Sequence, residues 1–131
     1  MDDLSGIAIG GPSSGVIASS EAANLFIGPG FIDGKAVMLG AGGIIALSKE
    51  TDVLQVVRKL SEYNANESCG KCTPCREGTQ RLLEMMETGS KGAPIDWTGL
   101  GSLAEVINAA SLCGLGQAAG NPVLSYNTYF Q

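Results

Sequence analysis

The sequence predicts an α+β chain, with a β-rich segment at residues 1–47 and a bundle of four short helices at residues 48–131. Three observations support this fold class. Short apolar runs alternate with glycine-rich turns in the first segment, and a helical hydrophobic period begins near residue 48. The helical region also contains all four cysteines, at a spacing typical of a metal centre. We therefore expect a small sheet followed by a helical metal-binding domain.

The β-rich segment contains four apolar runs, at residues 6–9, 25–27, 36–39 and 43–47. The runs are separated by glycine-rich residues 10–15, by Gly28-Pro29-Gly30 and by Asp33-Gly34. These separators are typical of turns, and Asp-Gly is a strong hairpin signal. The segment is therefore predicted to form a fragment of a small sheet.

The helical region carries recognisable start and stop signals. Ser48 is predicted to cap the first helix, with Asp52 in its first turn. A loop with three cysteines follows, and the second helix is expected to stop at Gly89. Asp96 is the predicted cap of the third helix. Asn121, which precedes a proline, is the predicted cap of the fourth.

Composition excludes several classes of function. The net charge is −5 and the eight Lys and Arg form no run, which argues against a nucleic-acid partner. The longest apolar stretch, residues 36–47, is too short and glycine-rich to span a bilayer, and no signal peptide is visible. We expect a cytoplasmic protein, or one that reaches a membrane only through a complex.

The cysteines form one pattern. Cys69, Cys72 and Cys75 give C-x2-C-x2-C, and 37 residues separate Cys75 from Cys113. A cubane cluster needs one thiolate on each of its four irons. Two-residue gaps let one loop reach three irons, with the fourth thiolate coming from elsewhere. The pattern therefore predicts one [4Fe–4S] cluster held by these four cysteines.

Other residues of the cysteine loop have expected roles. Gly70 and Pro74 would shape its bends, and backbone amides of a helix starting after Pro74 could point toward the cluster. Lys71 and Arg76 could donate hydrogen bonds to the negatively charged cluster. Alternatively, both are solvated charges offset by neighbouring glutamates.

Alternatives to the cluster stay open at this point. A four-cysteine zinc site usually has two separated C-x2-C knuckles, and the second is missing here. A C-x-x-C redox pair or disulfides would leave thiols over, and disulfides conflict with a reducing compartment. A metal-stapled structural or docking module without redox turnover is therefore the rival function.

The glycine-rich segments at residues 10–15 and 40–43 do not match nucleotide-binding motifs. A dinucleotide fingerprint or a P-loop opens a helix after a strand, whereas residues 40–43 lead into another predicted strand. The chain contains no histidine, and no serine or cysteine nucleophile has a recognisable base. We expect no catalysis by the chain alone.

Two segments resemble a known family. ESCGKCTPCREG at residues 67–78 and SLCGLGQAAGNPV at residues 111–123 are similar to the C-terminal part of the NADH-binding flavoprotein subunit of respiratory complex I. Related NAD-dependent hydrogenases and formate dehydrogenases share this module. Residues 10–15 and 38–44 resemble the small β-grasp-like (SLBB-type) domain that precedes it. The resemblance implies that Cys69, Cys72, Cys75 and Cys113 are the cluster ligands.

The resemblance also implies partners. In that family an upstream domain binds FMN and NADH, and this chain begins after where that domain would end. FMN and NAD(P)H are therefore expected only on a partner or a missing domain, and the β-grasp-like segment is expected to be incomplete. The implied function is electron relay from a flavin-bearing subunit to other iron–sulfur subunits of an oxidoreductase complex.

Overall fold

A computed structural model of the chain describes residues 3–22, 38–90 and 92–131. Its strands are β1 (Leu4–Ile9), β2 (Gly15–Ala18) and β3 (Ile44–Ser48). Its helices are α1 (Ser19–Ala22), α2 (Val53–Asn66), α3 (Thr73–Ser90), α4 (Trp97–Ala110), α5 (Gly114–Ala118) and α6 (Asn121–Tyr129), with a 3-10 turn at Gly11–Ser13. A small sheet with a larger helical part agrees with the predicted α+β class.

The three strands form one antiparallel sheet in the order β2-β1-β3. β1 and β3 confirm the apolar runs predicted at residues 6–9 and 43–47. The run at residues 25–27, most of the run at 36–39 and the Asp33-Gly34 turn lie outside the described residues. β2 was not predicted, because its short glycine-led sequence gives little local signal. Pairing with β1 and full burial of Val16 and Ile17 stabilise it instead.

The start of α2 differs from the prediction. Ser48 is the last residue of β3, where it pairs with Leu4, so its backbone is extended and it does not cap the helix. Asp52 is the N-cap, and its carboxylate accepts a hydrogen bond from the backbone N–H of Gln55 at 3.3 Å. The sheet thus sets where the helix can begin.

The remaining helices largely follow the predicted signals. Asp96 caps α4 as predicted, accepting from the backbone N–H of Gly99 at 2.9 Å. α3 ends at Ser90, one residue beyond the predicted stop. The prediction of four helices missed α5, a five-residue helix with two glycines and therefore a low intrinsic helix propensity. Among the described residues, no helix combines the length and hydrophobicity needed to cross a membrane.

The sheet and the helices share one hydrophobic cluster. Ala8, Val16 and Leu47 of the sheet belong to it. The buried helical members are Val53, Val57, Leu82, Met86, Leu100, Ala104, Ile107 and Val123, with Ala119 between α5 and α6. A buried hydrogen bond from the backbone N–H of Val16 to Ser125 Oγ, at 3.0 Å, joins β2 to α6. The last helix is thereby fixed to the sheet.

Asparagine side chains connect the helices to the 3-10 turn. Asn121 Nδ2 donates to the carbonyl of Ser13, and Asn121 Oδ1 accepts from Asn108 Nδ2, both at 2.8 Å. Asn64 Nδ2 donates to the carbonyl of Pro12 at 2.8 Å. Because its side chain is engaged in these bonds, Asn121 does not cap α6. Gly120 is the N-cap, which corrects the predicted cap by one residue.

We expect Asn121→Ala to lower the free energy of unfolding by about 1–3 kcal/mol, because it leaves the partly buried carbonyl of Ser13 and the amide of Asn108 without a partner. Denaturant unfolding of the full chain measures this change. Asn66→Ala is the matched control, because Asn66 is exposed at the end of α2. Equal stability of the two variants would contradict the role given to Asn121.

Candidate metal centre

The four cysteines line a single cavity of about 110 Å³. Its lining residues are Glu67, Ser68, Cys69, Lys71, Cys72, Cys75, Cys113 and Leu115. All four thiols are free of disulfides. The fold therefore brings every predicted ligand residue to one place, although Cys113 is far from the other three in the sequence.

The three-cysteine loop (residues 69–75) is held by a tight backbone turn and by an arginine. Gly70 has φ +75°, a conformation that favours glycine, as the predicted bend requires. Arg76 Nη1 donates to the carbonyl of Gly70 at 2.6 Å, and Arg76 Nε pairs with Glu77 at 2.8 Å. Arg76 therefore stabilises the loop by bonding to its backbone, and Glu77 balances the positive charge of Arg76. Lys71, in contrast, lines the cavity.

Helix α3 begins inside the cysteine motif. The carbonyl of Cys72 accepts the backbone N–H of Arg76 at 3.0 Å, so Cys72 lies immediately before the helix. Cys75 lies in its first turn, where the residue is only 5% exposed and Thr79 Oγ1 donates to its carbonyl at 2.7 Å. The positive end of a helix dipole therefore lies beside the thiols, where it stabilises negative charge.

A glycine lets the fourth cysteine approach the other three. Cys113 is the N-cap of α5, and its carbonyl accepts the backbone N–H of Gln117 at 3.0 Å. A side-chain carbon at Gly116 would lie 2.5 Å from Ser111 Oγ and 3.2 Å from Cys75 Cβ. Only glycine at this position allows α5 to pack so closely against the start of α3.

Hydrogen bonds favour the thiolate form of Cys72. Its pKa is lowered, because Cys72 Sγ accepts a hydrogen bond first from the backbone N–H of Leu112 and next from that of Cys75. Burial raises the pKa, whereas the Ser111 hydroxyl lowers it. Since Leu112 precedes Cys113, this effect reflects how close the two cysteine segments lie. Metals bind the deprotonated form of cysteine, so the lowered pKa of Cys72 favours metal binding.

The cavity opens to the protein surface on one side. Cys69 and Cys113 are exposed and Cys72 is intermediate, whereas Cys75 is buried. Leu112, beside Cys113, is 76% exposed. A group bound in the cavity would therefore have one covered side and one side that a partner protein can reach.

The donor set fits an iron–sulfur cluster. Thiolates are soft ligands that suit such clusters and zinc, and the chain has no histidine. In the described parts of the chain, no three His, Cys, Asp or Glu side chains form a group that could hold a metal ion. The four cysteines instead line a shared cavity. Ser111 Oγ is buried near Cys72, whose pKa it lowers, but it makes no hydrogen bond of standard geometry among the described residues. A sulfur-rich group would provide the missing acceptor.

Sequence reasoning missed three residues that shape the site: Ser68, Ser111 and Gly116. Ser68 Oγ lies 3.2 Å from Cys75 Sγ. Each serine stands within two residues of a predicted ligand, at Cys69 and Cys113. Their closeness in sequence to the predicted ligands could have suggested a role for the two serines. The directions of their side chains, however, depend on how the loop folds.

Comparison with known families and proteins identifies related sequences. Residues 55–131, which include all four cysteines, match the family described as the NADH-ubiquinone oxidoreductase-F iron-sulfur binding region. The NADP-reducing hydrogenase subunit HndC of Solidesulfovibrio fructosivorans is 37% identical over 118 residues, covering 88% of this chain and 24% of that protein. One subunit of the NADH-quinone oxidoreductase of Streptomyces coelicolor is 40% identical over 96 residues, covering 72% of this chain and 21% of that protein.

Solved structures show the same fold. The crystal structure of an NAD+-reducing [NiFe]-hydrogenase in the H2-reduced state superposes with a TM-score of 0.80 at 27% identity. The match covers 98% of this chain and 22% of the hydrogenase chain. The chain thus spans about a quarter of the length of these related proteins.

We expect Gly116→Ala to destabilise the chain by about 1–3 kcal/mol, because the added methyl group overpacks the contact with Ser111 and Cys75. Displacing α5 should also expose Cys75, so its alkylation by iodoacetamide should become faster in the metal-free chain. Thermal unfolding and mass spectrometry of the alkylated peptides measure the two effects.

Gly114→Ala is the control for this prediction, because a side chain at Gly114 in the same helix meets no atom within 4 Å. It should leave both stability and Cys75 alkylation nearly unchanged. If the two glycine variants behaved alike, close packing at Gly116 would not be what positions Cys113.

Proposed function

Because this chain belongs to the family of the NADH-ubiquinone oxidoreductase-F iron-sulfur binding region, we propose that it is an electron-transfer module carrying one [4Fe–4S] cluster. Cys69, Cys72, Cys75 and Cys113 would be its ligands. The observation that supports this assignment most strongly is the single cavity that these four cysteines line. A cubane cluster requires four thiolates, one for each iron.

The chain's residues have distinct roles in this proposal. The three-cysteine loop supplies three ligands, and the turn between α4 and α5 supplies the fourth. Backbone N–H groups of Leu112 and Cys75 stabilise the Cys72 thiolate, and burial of Cys75 excludes water from one side. The bound cluster would supply one-electron redox chemistry.

The names of the relatives support a role in electron transfer. Their names describe subunits of NADH- and NADP-linked oxidoreductases. We assign to this chain a relay between a flavin and NAD(P)H site on a partner or additional domain and further iron–sulfur centres. Residues 1–47 would form a β-grasp-like segment supporting the cluster domain at residues 48–131. The host complex would be cytoplasmic or associated with a membrane.

Metal content tests the cluster assignment. Anaerobically prepared protein should contain about four iron and four sulfide per chain. Cys113→Ala should reduce both because it removes one ligand, whereas Leu112→Ala, which keeps all four thiols, should not. One zinc per chain and no sulfide after anaerobic reconstitution would instead support the metal-stapled structural module.

Reduction by NADH tests the relay. Without a flavoprotein, NADH should leave the cluster of the isolated chain oxidised, because hydride transfer from NADH needs an acceptor such as flavin. Adding a flavin-bearing partner should allow reduction, which electron paramagnetic resonance (EPR) detects. Cluster reduction by NADH in the isolated chain would show that the chain has its own nucleotide and flavin chemistry.

A further inference from the structure

Ser68 presents its hydroxyl to the most buried of the four cysteines. Ser68 Oγ lies 3.2 Å from Cys75 Sγ, and both residues line the cysteine cavity. Cys75 is 5% exposed. A hydrogen bond in such a poorly solvated place is electrostatically stronger than one in water.

The hydrogen atoms of this contact can be assigned from its partners. Ser68 Oγ already accepts the backbone N–H of Gly70 at 3.4 Å. A hydroxyl has one proton to donate, and a metal-bound thiolate has none. When Cys75 is a ligand, Ser68 must therefore be the donor and Cys75 Sγ the acceptor.

Ser111 presents a second hydroxyl on the other cysteine segment. Ser111 is 6% exposed, and its Oγ lies near Cys72 but makes no hydrogen bond of standard geometry in the part of the chain that the structure describes. It lies against Gly116 together with Cys75 Cβ. Buried polar groups are nearly always hydrogen-bonded, so an unpaired hydroxyl beside a ligand set indicates an acceptor supplied by the bound group.

We propose that Ser68 and Ser111 are positioning residues that raise the reduction potential of the cluster by donating hydrogen bonds to its sulfur atoms. This inference rests on the proposed function. Reduction adds one electron and no proton to the cluster, so its net charge becomes more negative. Hydrogen-bond donors stabilise the more negative state more strongly and thus favour reduction.

An EPR-monitored redox titration of the anaerobically loaded chain, with dithionite as the electron donor, tests the proposal. Ser68→Ala should move the midpoint potential to more negative values. We expect a reduced-to-oxidised ratio about threefold to tenfold smaller at a fixed potential, where tenfold corresponds to about 59 mV for a one-electron couple. Ser111→Ala should shift the midpoint in the same direction.

Two further variants separate tuning from general structural damage. Ser68→Thr keeps a hydroxyl and should restore the wild-type midpoint. Ser61→Ala is the matched control, because Ser61 Oγ is also buried and unpartnered among the described residues. Ser61 lies in α2 and neither lines the cysteine cavity, as Ser68 does, nor packs at Gly116 beside Cys75, as Ser111 does. This variant should leave the midpoint unchanged.

The outcomes distinguish this inference from the proposed function. Wild-type protein without iron and sulfide would refute the function itself. A loaded wild type whose Ser68→Ala and Ser111→Ala variants keep the wild-type midpoint would overturn only the inference. If Ser68→Ala does not retain a cluster, the comparison of Ser111→Ala with Ser61→Ala decides: equal midpoints contradict the proposed tuning.

Discussion

The meeting of four thiols from two distant chain segments is the constraint on which the rest of the structure depends. Three thiols come from one loop, but Cys113 arrives through a turn between two helices. Close packing of Gly116 against Ser111 and Cys75 holds that turn against the loop, and the Leu112 N–H lies near enough to Cys72 to lower the pKa of its thiol. Several contacts therefore hold Cys113 close to the other three cysteines, although it is far from them in the sequence.

Contacts between the sheet and the last helix, α6, stabilise this arrangement of the cysteines. α6 follows α5 closely, so fixing α6 also limits the movement of the turn that carries Cys113. Ser125 joins α6 to β2, and Asn121 joins it to the 3-10 turn after β1. Asn108 reaches from α4 to the N-cap at Gly120, at 2.8 Å. The polar network thus connects the sheet with the helices on both sides of the cysteine turn.

The sequence predicted those features that depend on local chemistry. The bend at Gly70 and the Asp96 cap need only near neighbours. Predictions failed where distant partners decide the outcome. Ser48 pairs with β1 instead of capping α2. β2 and α5 exist because the sheet and the packing around Cys75 stabilise residues with weak intrinsic preferences.

The same distinction applies within the site. Four cysteines at that spacing predict a ligand set, and the fold brings them to one cavity. The serine hydroxyls could not be assigned, because their directions depend on the bend at Gly70 and on the approach of α5. The orientation of Arg76 was equally undetermined, and it bonds to the loop carbonyl of Gly70.

Spin counting on the reduced protein tests most directly whether the four cysteines hold one cluster. After anaerobic reconstitution and reduction by dithionite, integration of the EPR signal should give about one unpaired spin per chain, with broad visible absorption that bleaches on reduction. A colourless protein without an EPR signal, despite full iron and sulfide supply during reconstitution, would contradict a redox-active cluster at Cys69, Cys72, Cys75 and Cys113.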